Sequence, residues 1–339
     1  MCKEITTKSR IEWLDYFRSF GIILMIMGHI DFGLEFNHFI HAFHMPMFFF
    51  ASGYCFKHKA KDQLSFPAYI KRKAESLLLP YIVFGLLHYI VYAVENIINN
   101  KPVALYHLVN LFTYNTGGLA ICGALWFLTA LFFADVFFFV IERNIHSKFA
   151  IIITVVLISL FGSIAKKYLS VRLPLALGAS FVGIGFMYLG YIFRQNANKN
   201  IFAYLLNLKP LPLIAVSVLC AFLIIINGNV NMREGYYSNI FLFWVNAMLA
   251  IIVGINVSKI FCPLLSETFA GNIFKKIGKD SIIYLCLNEL VIKYTLSLVS
   301  VLKLPTLIQN CMTFVITMVV LYSLNNLIMR TEIKIFFGK

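Results

Sequence analysis

Long apolar runs alternate with short polar segments along all 339 residues of the chain. A helix that crosses a bilayer needs about 20 mostly apolar residues, and ten runs come close to this length. These predicted spans are 13–31, 39–56, 77–98, 119–141, 149–165, 173–193, 210–228, 237–262, 281–303 and 305–329. No internal repeat or polar linker interrupts the series. The pattern therefore predicts an all-α polytopic membrane protein with about ten transmembrane helices in a single domain over 1–339.

The amino-acid composition agrees with this class of protein. Hydrophobic residues make up 60% of the chain and charged residues 13%, whereas soluble domains carry about 25% charged residues. The net charge of +14 is spread over short loops, not gathered into a basic tract with interleaved aromatic residues, so we expect no nucleic-acid partner. The seven cysteines form no CxxC pair and indicate neither a disulfide framework nor a zinc site.

The distribution of Lys and Arg predicts the orientation, because short cytoplasmic loops are enriched in these residues. With the N-terminus inside, the predicted inner segments carry 21 of them and the outer loops 6, while Arg18 and Lys293 lie within helices and complete the 29. Both termini are therefore expected in the cytoplasm, and the first apolar run is expected to be a retained helix, not a signal peptide. The outer segment 166–172, with three positive charges, is the exception.

The first predicted span carries polar residues, which are costly in hydrocarbon and usually face a cavity or a partner. Arg18 and His29 are eleven residues apart, close to three helical turns, so they share one face at a separation of about 16 Å. Asp15 lies one turn before Arg18 on nearly the same face. A snorkelling arginine and an interfacial histidine would explain these residues singly. Their shared face favours a functional polar stripe across the membrane.

The second predicted span begins with His38, His41 and His44, spaced so that they line one side of a helix. They are expected at the depth of His29. A row of interfacial histidines and a zinc site both fit this spacing, but no cysteine and few carboxylates accompany them, so we expect no metal. Pro46 falls in the first turns of the span, where proline is tolerated, and no break is expected there.

Two other features of the apolar spans are open to more than one interpretation. The Ser-Gly pair at 52–53 permits close packing of another helix. Trp126, in the outer half of the fourth span, is either an aromatic-belt anchor or a wall for a carbohydrate or acyl group.

A basic triplet precedes the third span at the predicted cytoplasmic surface. Lys71, Arg72 and Lys73 either anchor the helix there or hold the phosphates of an anionic ligand. The chain contains no Walker-type or GxGxxG loop, so a P-loop nucleotide site is not supported.

The ninth predicted span contains two charged residues near the bilayer middle. Glu289 and Lys293 are at i, i+4, a spacing that allows a structural salt bridge. Asn288 lies beside Glu289. The alternative is that Glu289 orients one of the histidines.

Five blocks, in this order, resemble the integral-membrane acyltransferase family 3, the membrane O-acyltransferases of bacterial glycans. The blocks are WLDYFRSFGIILMIMGHI (13–30), FHMPMFFFASGY (43–54), KRKAESLLLPY (71–81), LWFL (125–128) and IGKDSIIYLCLNE (277–289). The family pattern of a basic residue, ten residues and a histidine is met by Arg18 and His29. The resemblance covers most of the chain and is to the small form without an appended SGNH domain.

The resemblance implies an O-acyltransferase in the bacterial cytoplasmic membrane. Such an enzyme moves an acyl group, most simply acetyl, from cytoplasmic acyl-CoA to a hydroxyl of a cell-surface or lipid-linked glycan. The resemblance also places the family's essential histidine at His29 and its basic partner at Arg18.

Under this interpretation the polar residues are assigned to three roles. The predicted catalytic residues are His29, His44 and Glu289. The residues expected to hold acyl-CoA are Arg18, Lys71, Arg72 and Lys73. The residues expected to contact the acceptor are Asp15, Trp126 and Asn288.

A histidine suits a general base at neutral pH, and His29 would take the proton of the attacking hydroxyl. His44 would position the acceptor or donate to the developing oxyanion. A covalent acyl-histidine intermediate stays open as an alternative.

Two positions depart from the family pattern. The family often has two arginines three residues apart before LLxPY, whereas here Arg72 is followed at that distance by Glu75. The family also often ends its ninth-helix block with Tyr-Leu-x-His, and Asn288 stands at the histidine position. At the first position an acid replaces a base in the predicted CoA site, and at the second the reaction either proceeds without the histidine or uses Glu289 in its place.

Two other functions also fit this arrangement of helices. A transporter or flippase for a polysaccharide or lipid-linked sugar would suit ten helices with an internal polar stripe, although the inverted repeats common in transporters are not evident. A transporter would move unmodified glycan without consuming acyl-CoA. An inactive scaffold for other glycan enzymes is the third interpretation, against which the pairing of Arg18 with His29 argues.

Overall fold

Most of the described residues in the predicted spans are helical. The structure, a computed structural model, describes residues 10–56, 65–118, 122–170 and 173–339. The α-helices are α1 (Glu12–Ile30), α2 (Leu34–His41), α3 (His44–Cys55), α4 (Phe66–Ile98), α5 (Tyr106–Phe112), α6 (Asn115–Gly118), α7 (Trp126–Asn144), α8 (Lys148–Leu169), α9 (Leu177–Gln195), α10 (Asn200–Leu205), α11 (Pro210–Asn227), α12 (Ile240–Leu265), α13 (Phe269–Lys279), α14 (Ser281–Ser300) and α15 (Thr306–Ile328).

Three shorter features complete the secondary structure of these residues. Helix α4 contains a π-helical segment, Ala74–Leu78, and 3₁₀ turns occur at Pro174–Ala176 and Glu332–Phe337. Two short antiparallel strands, β1 (Val230–Asn231) and β2 (Tyr236–Tyr237), pair Val230 with Tyr237 and Asn231 with Tyr236.

Among the residues that the structure describes, seven helices are long and apolar enough to cross a membrane: α4, α8, α9, α11, α12, α14 and α15. The protein is therefore a multi-pass, all-α membrane protein. The remaining predicted spans correspond to α1, to α2 with α3, and to α7, whose polar residues or short length keep them outside this group. The count of ten spans and the cytoplasmic position of both termini stay predictions.

The second predicted span is not one helix, contrary to the expectation at Pro46. Helix α2 ends at His41, Phe43 adopts a non-helical φ of −147° with ψ of −21°, and α3 begins at His44. A proline ring clashes with the carbonyl group four residues before it in a continuous helix. For Pro46 that residue is Ala42, which lies at the break.

Helix α1 lies at the centre of the bundle and packs against α2, α3, α12, α13, α14 and α15. Helices α3 and α9 pack so closely that two positions at their contact leave room only for glycine. A Cβ atom added to Gly53 would lie 1.9 Å from the Met187 oxygen, and one on Gly190 would lie 2.1 Å from the Phe50 oxygen. The close contact predicted for the Ser-Gly pair is therefore confirmed.

The segment 229–238, called the hairpin below, carries β1 and β2 and lies between α11 and α12. Its Val230, Met232 and Tyr237 are buried. Lys167 Nζ donates to the carbonyl oxygens of Tyr237 and Ser238 at 3.4 and 3.2 Å. The lysine end of α8 therefore holds the hairpin against the bundle.

The hairpin explains two of the three positive charges that are unexpected in the predicted outer segment 166–172. Lys166 pairs with Glu234 of the hairpin at 3.1 Å, and Lys167 binds its carbonyl groups. Both lysines thus have structural partners. The third charge, Arg172, lies outside the described residues.

Candidate active site

A basic cavity of about 480 Å³ lies between α1, α3, α4, α7 and the junction of α13 with α14. Five cationic side chains line it: Arg18, Arg72, Lys73, Lys279 and Lys339. Its volume is in the range of small-molecule sites, about 300–1,000 Å³. The cavity therefore offers room and positive charge for an anionic ligand.

The inner wall of the basic cavity is apolar. It is formed by Ile22, Phe48, Phe127, Leu128, Leu131 and Leu285. Ile22 lies one turn beyond Arg18 along α1, and Leu285 lies one turn before Glu289 along α14. The apolar wall thus points from the cationic residues towards Glu289 and His29.

Asp15 is buried at the same end of α1 as Arg18. It accepts hydrogen bonds from Arg10 Nε at 2.5 Å and Arg10 Nη2 at 2.8 Å, and Arg18 Nη1 lies 3.8 Å away. The hydrogen bond to Asp15 raises the pKa of Arg10. Asp15 is therefore held by a bidentate pair near the basic cavity, about four turns from His29, and its contact with an acceptor stays a prediction. Nothing in the sequence pattern distinguished Arg10 as this partner.

Arg18 Nη2 also donates to Cys55 Sγ at 3.3 Å, which joins the first turns of α1 to the end of α3. This contact confirms that the two helices are antiparallel, with Arg18 and Cys55 at the same end of the bundle. Both residues line the basic cavity.

Lys73 forms an ion pair inside the basic cavity with a partner that the sequence did not reveal. Its Nζ lies 2.8 Å from Asp135 Oδ2, and Ser52 Oγ donates to the same carboxylate at 3.2 Å. Asp135 is 1% exposed, so this network joins α3, α4 and α7 in the interior. The positive charge of Lys73 is therefore balanced by Asp135, whereas a lysine that binds phosphate would need its charge free.

The basic triplet of α4 divides between two environments. Arg72 and Lys73 line the basic cavity, whereas Lys71 does not. The side chain of Lys71 is 79% exposed and its Nζ lies 4.0 Å from Glu75 Oε1. Of the four residues predicted to hold the donor, Arg18, Arg72 and Lys73 are thus brought together in the basic cavity.

The C-terminal segment supplies a cation that sequence analysis missed. Lys339 Nζ donates to the Lys279 carbonyl oxygen at 2.7 Å and lies 3.5 Å from Asp280 Oδ1. Burial lowers the pKa of Lys339, while Asp280 acts in the opposite direction. Phe337 anchors the segment, because its buried ring lies 4.2 Å from that of Phe84.

His29 and Glu289 meet at the other end of α1. His29 Nδ1 lies 3.6 Å from Glu289 Oε1, and Glu289 Oε2 accepts a hydrogen bond from the Gly123 amide at 2.6 Å. The His29 side chain keeps 32% of its surface accessible, so a ligand can reach it. A carboxylate facing Nδ1 favours a proton on that nitrogen and leaves Nε2 as the basic atom.

Lys293 does not pair with Glu289, although the helical spacing allows it. It hydrogen-bonds to Glu95 Oε2 of α4, and Tyr294 Oη donates to Glu95 Oε1 at 2.9 Å. The structural-pair alternative for Glu289 and Lys293 is therefore wrong, and Glu289 lies beside His29.

Arg233 of the hairpin reaches the same region and was not singled out from the sequence. Its Nε donates to the Thr116 carbonyl oxygen at 2.7 Å. A Cβ atom added to Gly123 would lie 2.7 Å from Arg233 Nη1 and 3.0 Å from Glu289 Oε1. The guanidinium and the carboxylate thus border the same point, which only a glycine leaves open.

His44 lies close to this region but its ring is largely enclosed. The side chain is 5% exposed, its Nδ1 lies 2.8 Å from the Ile40 carbonyl oxygen, and its ring packs edge-on against His41 at 5.1 Å. Because a carbonyl oxygen only accepts, Nδ1 carries the proton and Nε2 is an acceptor in the neutral ring. A neutral His44 therefore has no free N–H for an oxyanion.

The other two predicted acceptor contacts are buried. Trp126 is 5% exposed and begins α7, and Asn288 is fully enclosed with its Nδ2 donating to the Leu285 carbonyl oxygen at 2.7 Å. Neither residue lines the basic cavity. Their assignment to substrate contact stays a prediction.

The histidine row does not form a metal site in the part of the chain that the structure describes. Within those residues, no group of three or more His, Cys, Asp or Glu side chains lies close enough to hold an ion.

The family model described as an acyltransferase domain, that of acyltransferase family 3, matches residues 11–326. The match spans nearly the whole chain, so the protein belongs to this family, as the resemblance predicted. It is a membrane acyltransferase, which favours the enzymatic interpretation over transport. No curated protein and no solved structure matched the chain.

Proposed function

We propose that the protein transfers an acyl group, most simply acetyl, from cytoplasmic acyl-CoA to a hydroxyl of a cell-surface or lipid-linked glycan. The observation that carries this proposal is the position of the cationic and the basic residues at two ends of α1. Arg18 lies in the basic cavity at one end, and His29 lies beside Glu289 about 16 Å away. An elongated donor, anionic at one end and reactive at the other, fits this arrangement.

The basic cavity is the proposed donor site. The CoA phosphates would contact four of the cationic residues that line this cavity, Arg18, Arg72, Lys279 and Lys339. The fifth, Lys73, is paired with Asp135. Arginine and lysine are suited to phosphate through charge-assisted hydrogen bonds. The acyl-bearing arm would follow the apolar wall towards His29.

The orientation predicted from Lys and Arg supports this direction of transfer. With both termini in the cytoplasm of a bacterial cell, the basic cavity would open to the cytoplasm, where acyl-CoA is made. His29 would then lie in the outer half of the cytoplasmic membrane, within reach of a glycan acceptor.

His29 acts as the general base in this proposal. Its Nε2 takes the proton of the acceptor hydroxyl while the oxygen attacks the thioester carbonyl carbon. The C–S bond then breaks, the sulfur leaves with the bonding electrons, and the imidazolium returns the proton to it. Glu289 orients the ring through Nδ1 and stabilises its charged form.

A transfer assay in inside-out vesicles tests the proposal. Vesicles that contain a lipid-linked glycan receive labelled acetyl-CoA, and the label in the glycan is measured. We expect His29→Ala to abolish transfer, because the base is lost. His146→Ala, which removes an exposed histidine between α7 and α8, is the matched control and is expected to match the parent.

Two results would contradict the proposal. If His29→Ala transferred label as well as the parent, the assignment of the base would be wrong. If the glycan crossed the membrane unmodified while no acetyl-CoA was consumed, the transport interpretation would replace it.

A further inference from the structure

The hairpin holds a partly buried arginine, Arg233, against the bundle. Its strands are buried through Val230 and Tyr237, and the lysines at the end of α8 bind its far strand and Glu234. Within the hairpin, Asn231 Oδ1 accepts a hydrogen bond from the Glu234 amide at 3.0 Å, which fixes the turn around Arg233. The backbone of Arg233 is therefore positioned independently of any ligand.

The guanidinium of Arg233 points to the His29–Glu289 pair. Its Nε is bonded to the Thr116 carbonyl oxygen, while Nη1 and Glu289 Oε1 both border the open point at Gly123. The terminal nitrogen Nη1 thus lies beside the carboxylate that faces His29.

In the described part of the chain, the two carboxylates near the Arg233 guanidinium, those of Glu234 and Glu289, are each also held by another group, Lys166 and the Gly123 amide. Among the described residues, the carboxylate within 4.0 Å of its guanidinium is that of Glu234, at 4.0 Å, and Lys166 binds that same group at 3.1 Å. A charge of this kind, next to a general base, is suited to a negative charge that forms during the reaction.

Acyl transfer needs a hydrogen-bond donor for the oxyanion of the tetrahedral intermediate. Donation to the oxyanion is one of the two roles predicted for His44, but its Nδ1–H is used by the Ile40 carbonyl oxygen. Glu289 is an acceptor, and His29 Nδ1 faces it. We infer that Arg233 is a further catalytic residue, whose terminal N–H groups bind the oxyanion formed on the acyl carbonyl.

The inference rests on the proposed function and adds one step to it. As the acceptor oxygen bonds to the carbonyl carbon, the C=O π electrons move onto the carbonyl oxygen, and the acceptor proton moves to His29. Arg233 donates hydrogen bonds to that oxyanion without losing a proton. When the C=O bond re-forms, the C–S bond breaks and the departing sulfur takes the proton from His29.

Steady-state kinetics of the purified full chain test this role, with acetyl-CoA and the glycan acceptor varied separately. We expect Arg233→Ala to lower kcat by about 100-fold to 1,000-fold with little change in the KM of the acceptor. Guanidinium ion added to this variant should restore part of kcat, and Arg233→Lys should be intermediate. Arg330→Ala, which removes an exposed arginine beyond α15, should match the parent with or without guanidinium.

Binding of acetyl-CoA, measured by calorimetry, shows whether each variant is folded. The affinity should be unchanged in Arg233→Ala, because the basic cavity lies at the other end of α1. Should Arg233→Ala fail to bind the donor, Arg233→Lys, which keeps the charge, decides the question by its kcat.

The inference is overturned if the Arg233 variant that binds the donor keeps the kcat of the parent. It is also overturned if only the KM of the acceptor rises, since Arg233 would then bind the acceptor and not the transition state. A parent protein that turned over no acetyl-CoA would instead overturn the proposed function together with this inference.

Discussion

At the scale of single residues, the partner of Glu289 shows where helical spacing is a weak guide. Lys293 lies four residues along the same helix, yet it bonds to Glu95 on α4, and Glu289 lies beside His29 on α1. An i, i+4 ion pair stabilises a helix by only about 0.2–0.5 kcal/mol. Contacts between helices readily outweigh such a preference, and the sequence does not show which helices are neighbours.

Gly123 leads to a prediction at the scale of one residue, because Arg233 and Glu289 both border the space that a side chain at this position would fill. In Gly123→Ala the new Cβ would lie 2.7 Å from Arg233 Nη1 and 3.0 Å from Glu289 Oε1. Both contacts are flexible ends of side chains, so we expect the protein to fold while kcat falls at least about 10-fold, a loss of ~1.4 kcal/mol in transition-state binding. Thermal unfolding and the transfer assay measure the two effects.

Gly178→Ala is the control for this substitution. A Cβ there meets nothing within 4 Å, so the same change in size enters open space. Equal activity of the two alanine variants would show that the space at Gly123 is not needed for the reaction.

At the scale of secondary structure, hydropathy identified the long helices and missed the breaks and insertions between them. The interruption at Ala42 and Phe43 follows from Pro46, whose ring excludes the Ala42 carbonyl of a continuous helix. The hairpin between α11 and α12 has strands of only two residues each, which have no detectable periodicity. Its place in the bundle depends on contacts with α2 and α8.

The C-terminal 3₁₀ segment provides a prediction at this scale. Its last residue, Lys339, lines the basic cavity, while Lys334 pairs with Glu332 at 3.7 Å and does not line it. We expect Lys339→Met to weaken acetyl-CoA binding about 10-fold, equivalent to ~1.4 kcal/mol, because one charge-assisted contact to a phosphate is lost. Calorimetric titration of the purified protein gives the dissociation constant.

Lys334→Met removes the same charge from the same segment and is the matched control. Equal donor affinity in the two variants and the parent would mean that Lys339 has no contact with the donor. A loss of affinity in both would point to the net charge of the segment, not to its place in the cavity.

At the scale of the whole molecule, the basic cavity and the His29–Glu289 pair lie at opposite ends of the central helix α1. The cations of the basic cavity come from α1, α4, α13 and the C-terminal segment, whereas His29 lies beside Glu289 of α14, which Arg233 of the hairpin approaches at Gly123. This division fits an enzyme whose donor and acceptor approach from different sides of a membrane.

The orientation of the molecule is itself testable with single cysteine substitutions in loops. We expect a thiol at Lys101→Cys, between α4 and α5, to react with an impermeant maleimide from the outside of intact cells. A thiol at Lys199→Cys, just before α10, should react only in inside-out vesicles. The reverse pattern of labelling would invert the orientation and place the basic cavity outside the cytoplasm.

The sequence alone predicted the class of protein, most of its long helices and the placement of Arg18 and His29 on one face of α1. These properties depend on composition and on the spacing of residues within one helix, both of which are local. The partners of other polar residues were decided only by tertiary packing: Asp135 for Lys73, Lys339 in the basic cavity and Arg233 beside Glu289. Each pair joins segments whose distance in space is set by how the whole bundle packs.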